Sequence, residues 1–244
     1  MNFYPEILYQ DSNVLVINKP AGLSTHSDGK KAELTLADWV VGQFPETIDV
    51  GESALLDDGR VISRPGIVHR LDRDTSGVMI VALNQKSFIW LKKQFQDHKV
   101  KKTYRAILYG HFADSISEQT INLPIGRSLK DPRVRVASFK AASTLREAVT
   151  VFRVLETLGD YSYVEANPKT GRTHQLRVHF KALQHPIVCD YLYAKGKACP
   201  EGLARQGLHA YRLKIALPDS SVQEFEAPLP EDMITALDNL RKAC

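Results

Sequence analysis

Six consecutive apolar residues, 78–83 (VMIVAL), directly follow a segment rich in charged and polar side chains, 69–77 (HRLDRDTSG). A short, continuous apolar run of this kind predicts a strand that is buried on both faces. The polar segment before it predicts a loop whose position is fixed by the strand. The sequence therefore predicts a buried strand with charged side chains held rigidly at its beginning.

Asp72 lies in this loop between Arg70 and Arg73. Neighbouring guanidinium charge lowers the pKa of a carboxyl group, which keeps it ionised and able to act as a nucleophile. The same residues also fit a structural ion pair that closes a turn, with Arg70 bound to Asp72 or Asp74. Asp72 is the leading catalytic candidate, and this segment alone leaves both interpretations open.

The composition is that of an ordinary globular protein. Of the 244 residues, 43% are hydrophobic and 25% are charged, which allows a sizeable core. The sequence has no apolar run long enough to span a bilayer and no pattern of a signal peptide at its start. The three cysteines, Cys189, Cys199 and Cys244, favour reduced thiols over a disulfide framework. We therefore expect a cytoplasmic protein without a membrane segment.

The apolar spacing predicts strands and helices without regular alternation. Strands are expected at 7–10, 14–19, 102–110, 148–158, 161–166, 208–217 and 222–227, and helices at 35–44, 84–99, from 173 onward and at 230–243. Residues 45–65 are expected to form a long surface loop. This order favours an α+β fold, with a mixed, mainly antiparallel sheet flanked by helices in a single catalytic domain over residues 1–244.

Basic residues are concentrated in two blocks, although the net charge is only +4. Residues 92–105 contain six basic residues against one acidic residue, and residues 127–153 contain seven against two. Two such blocks suggest a surface for a polyanion. A solvated face without a partner is the alternative for either block taken alone.

Three segments in this order and spacing resemble the RluA-type pseudouridine synthases: 19–26 (KPAGLSTH), 69–77 (HRLDRDTSG) and 169–179 (KTGRTHQLRVH). The resemblance extends from about residue 7 to about residue 217. It implies an enzyme that isomerises uridine in RNA by detaching uracil from the ribose, turning it and rejoining it through carbon 5. It also implies that the reaction needs no metal and no organic cofactor.

The resemblance implies roles for four residues. Asp72 is the nucleophile, and Arg177 pairs with it and keeps it ionised. Tyr104 stacks on the target base and relays a proton, while Arg70 helps displace the uridine and fills the space it leaves, because chemistry on a stacked base requires its extrusion. Alternatives from the residues alone are core packing for Tyr104 and a helix-surface position for Arg177, which the helical spacing places at the border of the core.

Several other polar residues are given no chemical step. His69, His174 and His179 are interpreted as structural hydrogen-bonding groups, since the last two lack the spacing of a helical zinc pair. Lys19 marks a turn that lies near the cleft in the family, and a solvated lysine is the alternative.

The resemblance also bears on how RNA is bound. Many relatives have a small RNA-binding domain before the KPAG turn, whereas 18 residues precede Lys19 here. We therefore expect the catalytic domain itself to bind RNA in a basic cleft, with the loop at 45–65 as a further candidate. The predicted phosphate contacts are Lys92, Lys93, Lys101, Lys102, Arg127, Arg133 and Arg135.

The expected partner is structured RNA, with ribosomal RNA favoured over transfer RNA, and a monomer is expected with no protein partner. Two rival interpretations remain at this point. One is an RNA-binding module without turnover, and the other is a glycoside hydrolase that uses Asp72 and Asp74. The sequence does not distinguish attack on the sugar, attack on the ring or a glycal route.

Overall fold

The computed structural model describes residues 4–27, 33–55, 59, 61–62, 64–112, 118–131, 133–138 and 144–243. The chain divides into two compact units. Unit 1 consists of Met1–Lys101 with Ala210–Pro228, and unit 2 consists of Lys102–His209 with Leu229–Cys244. Strands and helices are mixed in each unit, so the predicted α+β class is confirmed. A single domain over residues 1–244 stays a prediction.

In chain order, the strands of the described residues are β1 (Glu6–Gln10), β2 (Val14–Lys19), β3 (Ala54–Leu55), β4 (Val61–Ile62), β5 (Ser76–Ala82), β6 (Lys101–Tyr109), β7 (Gln119–Asn122), β8 (Ile125–Arg127), β9 (Arg135–Ala137), β10 (Val149–Leu158), β11 (Tyr161–Pro168), β12 (Leu208–Ala216) and β13 (Val222–Glu226). The helices are α1 (Leu36–Gln43), α2 (Gln85–Gln96), α3 (Gln175–Ala182) and α4 (Glu231–Lys242). The strands and helices expected from apolar spacing are confirmed with small shifts at their ends.

Unit 1 is organised around β5. This strand pairs antiparallel with β2, which pairs antiparallel with β1, and β12 lies on the other side of β5 with β13 beyond it. All seven residues of β5 are buried, which confirms the buried strand expected from the apolar run. The strand therefore fixes the position of the loop at its beginning, residues 69–75.

The two helices of unit 1 begin where capping residues satisfy their first amides. Thr35 and Asp38 form a capping box at α1, and the Asn84 side chain accepts a hydrogen bond from the Ser87 amide at α2. Helix α2 ends at Gln96, three residues before the predicted end at 99. His98 has a left-handed backbone conformation with φ of 56°, which cannot continue a helix.

The expectation of a long surface loop over 45–65 is only partly right. The segment contains a 3₁₀ turn at Pro45–Thr47 and the short antiparallel pair β3–β4. Residues 56–58, 60 and 63 lie outside the described residues. Strands of two residues carry no alternating apolar pattern, so the sequence gives no sign of them.

In unit 2, strands β6, β11, β10 and β7 pair antiparallel in this order, and β8 and β9 form a separate antiparallel pair. Alternate residues of β6 enter two different cores. Ala106 and Leu108 pack in a cluster with Leu176 and Phe180 of α3. Ile107 and Tyr109 pack in a second cluster with Met233 and Leu237 of α4. Strand β6 therefore contributes to the cores beneath both α3 and α4.

The cysteines depart from the expectation of reduced thiols. The sulfur atoms of Cys189 and Cys199 lie within bonding distance, and their Cα atoms are 5.2 Å apart. The cysteine count argues against a framework of several disulfides but says nothing about one local pair.

No helix in the described ranges is both long enough and apolar enough to cross a membrane.

Candidate active site

In unit 1, the loop at 69–75 is tied to the chain that follows β2. The Lys19 ammonium group is completely buried and donates hydrogen bonds to the carbonyl oxygens of Pro20 (2.7 Å), Leu23 (2.8 Å) and Arg73 (3.1 Å). The alternative of a solvated lysine is therefore wrong. Lys19 instead holds the KPAG turn and the loop in one arrangement.

Three further hydrogen bonds join the same two segments. The Arg73 carbonyl accepts from the Gly22 amide (2.9 Å), and Arg73 Nε donates to the Gly22 carbonyl (3.0 Å). The Thr25 hydroxyl donates to the Leu71 carbonyl (2.9 Å). The backbone on both sides of Asp72 is thus fixed by residues of the 19–26 motif, which explains why the two motifs occur together.

Asp72 itself lies in a turn in which its carbonyl accepts the Thr75 amide at 3.1 Å. Its side chain is half-buried, while Leu71 before it is buried and Arg73 after it is exposed. A pocket of about 300 Å³ adjoins the loop and is lined by Ser24, Thr25, His26, Ser27, Glu33, Thr35, Arg70, Leu71 and Arg73. Asp72 therefore meets the two demands on a catalytic group in a loop, a fixed backbone and partial access to solvent.

Arg70 is exposed, and its Nη1 lies 3.2 Å from His26 Nε2. Across the described part of the chain, no carboxylate is within ion-pair distance of Arg70, so the alternative in which it pairs with Asp72 or Asp74 is wrong. Arg64 is a third basic residue in this region. Burial lowers the pKa of Arg64, and the nearby charge of Arg70 lowers it further.

His69 at the beginning of the loop is structural, as expected. Its Nε2 accepts a hydrogen bond from the Ile80 amide at 3.0 Å, and its ring stacks on Phe95 of α2 with 4.5 Å between centroids. His69 thus joins the loop to β5 and α2.

In unit 2, Tyr104 lies on β6 opposite Ala166 of β11. Its side chain is half-buried and packs against the core cluster that contains Phe152 and Phe180. The packing alternative is therefore present, and a half-buried ring keeps part of its surface open to solvent. The catalytic role of Tyr104 stays a prediction.

Arg177 lies on α3 and is buried, with only 3% of its surface exposed, so the alternative of a helix-surface arginine is wrong. Its guanidinium forms a two-pronged ion pair with Asp190, from Nε to Oδ2 at 2.6 Å and from Nη2 to Oδ1 at 2.8 Å. Asp190 Oδ1 also accepts the amides of Leu192 and Tyr193. The pairing of Arg177 with Asp72 stays a prediction.

The motif at 169–179 is held by Gln175, the first residue of α3. Its Oε1 accepts from the Thr170 hydroxyl and the Arg172 amide, and its Nε2 donates to the Val149 carbonyl and the Thr150 hydroxyl. This network fixes the beginning of the helix that carries Arg177.

The two histidines of this motif are structural, as expected. His174 Nδ1 lies 2.9 Å from the Tyr193 hydroxyl. His179 is completely buried between the Thr150 hydroxyl (2.9 Å) and the Leu123 carbonyl (3.0 Å). The described residues contain no group of three or more His, Cys, Asp or Glu side chains arranged to hold a metal ion.

The residues expected to contact phosphate differ in their surroundings. Three have carboxylate partners: Lys92 pairs with Glu52, Lys93 with Asp97 (3.5 Å) and Arg133 with Asp131 (2.8 Å). Lys101 and Arg127 are exposed, and Arg135 is half-buried. Burial lowers the pKa of Lys102 to about 8, and its Nζ donates to the Thr170 carbonyl at 3.2 Å. Binding of RNA by this set stays a prediction.

Sequence reasoning missed three polar residues that the structure places at or next to the predicted site residues. His26 contacts Arg70, Arg64 lies close to both, and Asp190 holds Arg177. Asp190 follows α3 in a stretch without a periodic pattern, so only a partner for the buried Arg177 could have been anticipated. His26 is the last residue of the 19–26 motif, where its polar side chain was a usable signal.

Comparison with known proteins identifies the family. Residues 13–182 match the family described as RNA pseudouridylate synthase. A protein of Neisseria meningitidis named ribosomal large subunit pseudouridine synthase D is 38% identical, over 97% of this chain and 61% of that protein. An RNA pseudouridine synthase of Synechocystis, named as uncharacterized, is 36% identical over 97% of this chain and 69% of its own length.

A solved structure shows the same similarity. Human RNA pseudouridylate synthase domain containing 1 superposes with a TM-score of 0.72 at 30% identity, covering 93% of this chain and 84% of the human chain. The chain spans 61% of the length of the Neisseria relative, 69% of the Synechocystis relative and 73% of a third relative, from Bacillus subtilis.

Proposed function

This chain belongs to the RNA pseudouridylate synthase family, and we propose that it isomerises specific uridines in structured RNA with Asp72 as the nucleophile. The family's members are isomerases, so the reaction class follows from membership. The observation that carries the assignment of Asp72 is its position in a loop fixed by Lys19, Thr25 and Arg73. Its own side chain is half-buried, and its chain neighbours Leu71 and Arg73 line a pocket.

The chemistry needs a nucleophile and no redox step. The bond between uracil N1 and ribose C1′ breaks, the base turns, and a bond between uracil C5 and C1′ forms. The C5 hydrogen leaves as a proton, and N1 takes up a proton. A carboxylate can attack either the sugar or the ring and leave again, so both routes agree with Asp72 in this role. Atoms and electrons balance without a cofactor.

The other assigned residues complete the proposal. Tyr104 stacks on the base and relays a proton, and a half-buried phenol offers both a ring face and a hydroxyl group for this. Arg177 supplies a positive charge whose orientation Asp190 fixes. Arg70 assists in displacing the uridine, and its exposed guanidinium is available to do so.

Ribosomal RNA is the proposed substrate. Relatives named ribosomal large subunit pseudouridine synthase D support it, because their similarity covers 97% of this chain. The cytoplasm, where such RNA occurs, is the proposed location. Transfer RNA is the second candidate and is distinguished by the same assay.

The test is release of tritium from RNA that carries the label on carbon 5 of uracil. The wild-type protein is incubated with protein-free bacterial ribosomal RNA and, separately, with transfer RNA. Tritium release from ribosomal RNA alone supports the full proposal. Release from transfer RNA alone would assign transfer RNA as the substrate instead. No release from either RNA, together with measurable RNA binding, would favour a binding module without turnover.

A further inference from the structure

Two arginines of unit 1 lie close together without a counter-ion. Arg64 and Arg70 are near enough for the charge of one to lower the pKa of the other, yet within the described ranges neither has a carboxylate at ion-pair distance. Other arginines of the unit are paired, since Arg73 lies 3.9 Å from Glu33 and Arg212 binds Glu226. Like charges repel each other, here an exposed Arg70 and a half-buried Arg64, and an anion bound between them would remove this repulsion.

His26 adds a hydrogen-bond donor to this pair. A guanidinium group only donates, so the 3.2 Å contact from Arg70 Nη1 makes His26 Nε2 the acceptor and places the ring proton on Nδ1. Burial, with the charges of Arg70 and Arg64, lowers the pKa of His26 to about 4, which keeps the ring neutral at pH 7. His26 Nδ1 is itself buried, and no acceptor for it exists in the described part of the chain.

Arg64 provides a second hydrogen-bond donor without an acceptor, in addition to His26 Nδ1. Its Nε is buried and makes no hydrogen bond to any described residue. A buried donor without an acceptor costs about 1 to 3 kcal/mol, so two of them beside each other are an uncommon arrangement in a folded protein. A ligand with several acceptor oxygens would satisfy both donors.

The location of these groups connects them to Asp72. His26 and Arg70 line the pocket of about 300 Å³, and so do Leu71 and Arg73, the two neighbours of Asp72 in the chain. Ser24, Thr25, Ser27 and Thr35 line the same pocket, as does Glu33, whose carboxylate lies 3.9 Å from Arg73. A ligand here would contact the two residues that flank the proposed nucleophile in the chain.

We propose that His26, Arg64 and Arg70 form a subsite for one phosphate of the RNA backbone next to the uridine that Asp72 attacks. The inference rests on the proposed function, which makes RNA the ligand, and it assigns the phosphodiester group to a specific set of donors. A phosphate carries the negative charge that the two arginines lack and the oxygens that His26 Nδ1 and Arg64 Nε can bind. In this role Arg70 holds the backbone at the point where the base leaves the stack.

The subsite is tested by the salt dependence of RNA binding. The probe is a short RNA hairpin with uridines in its loop, and the dissociation constant is measured over a series of salt concentrations. A residue that neutralises one phosphate contributes about one unit to the slope of log K against log salt. We expect Arg64→Gln and Arg70→Gln each to make the slope shallower by up to about one unit and to weaken binding roughly tenfold at low salt.

Controls separate charge from packing. Arg64→Lys keeps the charge and is expected to keep the wild-type slope. Arg212→Gln removes a paired arginine of the same unit and should leave both slope and affinity unchanged. His26→Ala should weaken binding at an unchanged slope, because the neutral ring donates a hydrogen bond but brings no charge. Arg70 is exposed, so its variant reports on the subsite even where Arg64→Gln lowers stability.

A wild-type slope in either Arg64→Gln or Arg70→Gln overturns the subsite, and unchanged affinity in His26→Ala removes His26 from it. Binding is measured without turnover, so these outcomes do not depend on the reaction. Tritium release by the wild-type protein tests the proposed function separately. If the wild-type protein releases tritium and the arginine variants keep the wild-type salt slope, only the subsite is refuted. If the variants have a shallower slope and the wild-type protein releases no tritium, only the isomerase activity is refuted.

Discussion

At the residue scale, each of the two units holds its candidate site residues through polar side chains that are buried with their partners. Lys19 donates to three carbonyl oxygens, and Arg177 binds Asp190 through two parallel hydrogen bonds. Removing one partner of such a group leaves the others buried and unsatisfied, which costs more than the hydrogen bonds contribute. These residues therefore hold the loop of Asp72 and the helix of Arg177 in single positions.

Lys19 provides a direct test of this role. We expect Lys19→Met to lower the free energy of unfolding by about 2 to 4 kcal/mol, because three carbonyl oxygens each lose the hydrogen bond from the ammonium group. Urea denaturation measures this loss. Lys214→Met, at an exposed lysine of β12 in the same unit, is the matched control and should change stability by less than about 0.5 kcal/mol. Equal stability of the two variants would contradict the anchoring role of Lys19.

Lys102 provides a pH test. Burial lowers its pKa from 10.5 to about 8, so between these values the unfolded chain binds this proton more tightly than the folded protein. The penalty for the buried charge is complete below pH 8 and is relieved as the pH rises. We expect the stability of the wild-type protein relative to Lys102→Met to increase by about 2 kcal/mol from pH 7 to pH 9.5. Urea denaturation at both pH values checks this, and a constant difference would contradict it.

At the scale of elements, long periodic segments were predictable and short ones were not. The apolar residues of α2 and α4 recur at helical spacing, which predicts helices with one buried face. The apolar run in β5 predicts a strand that is buried on both faces. The structure confirms all three elements. The strands β7, β8 and β9 have three or four residues and no alternating pattern, so they depend on neighbours that a local pattern does not contain. Helix α3 begins at Gln175 because His174 adopts a left-handed conformation with φ of 57°.

A substitution at Gly77 tests whether the close approach of β5 to β12 requires a residue without a side chain. Its φ is +118°, and a Cβ atom there would collide with the backbone of Ala210. We expect Gly77→Ala to destabilise the protein by about 3 kcal/mol or more, through strain and overlap together. Gly22→Ala is the matched control, since Gly22 has a φ of +85° with no atom within 4 Å of the added Cβ, and strain alone should cost about 1 kcal/mol. Equal losses in thermal denaturation would show that overlap with Ala210 is unimportant.

At the scale of the whole molecule, the family could be identified from three short motifs, and the comparisons confirm it. The motifs contain Asp72 and Arg177 together with Lys19 and Gln175, which hold the backbone around them. Sequence reasoning identified the polar positions but not the partners, because Asp190 and Arg64 lie outside the three motifs and are joined to them only by the fold. The RNA target could not be predicted in the same way, because no local pattern specifies which contacts the surface charges make.

The most direct test of the account is the turnover of Asp72→Asn, measured as tritium release from RNA labelled on carbon 5 of uracil. The account predicts a loss of at least about a thousandfold, with RNA affinity within a few-fold of wild type, because the amide keeps the shape of the side chain but is not a nucleophile. Asp74→Asn, two residues away, separates this account from a mechanism with two carboxylates, which would require an equal loss there. Tritium release by Asp72→Asn at the wild-type rate would contradict the assignment of Asp72 as the nucleophile.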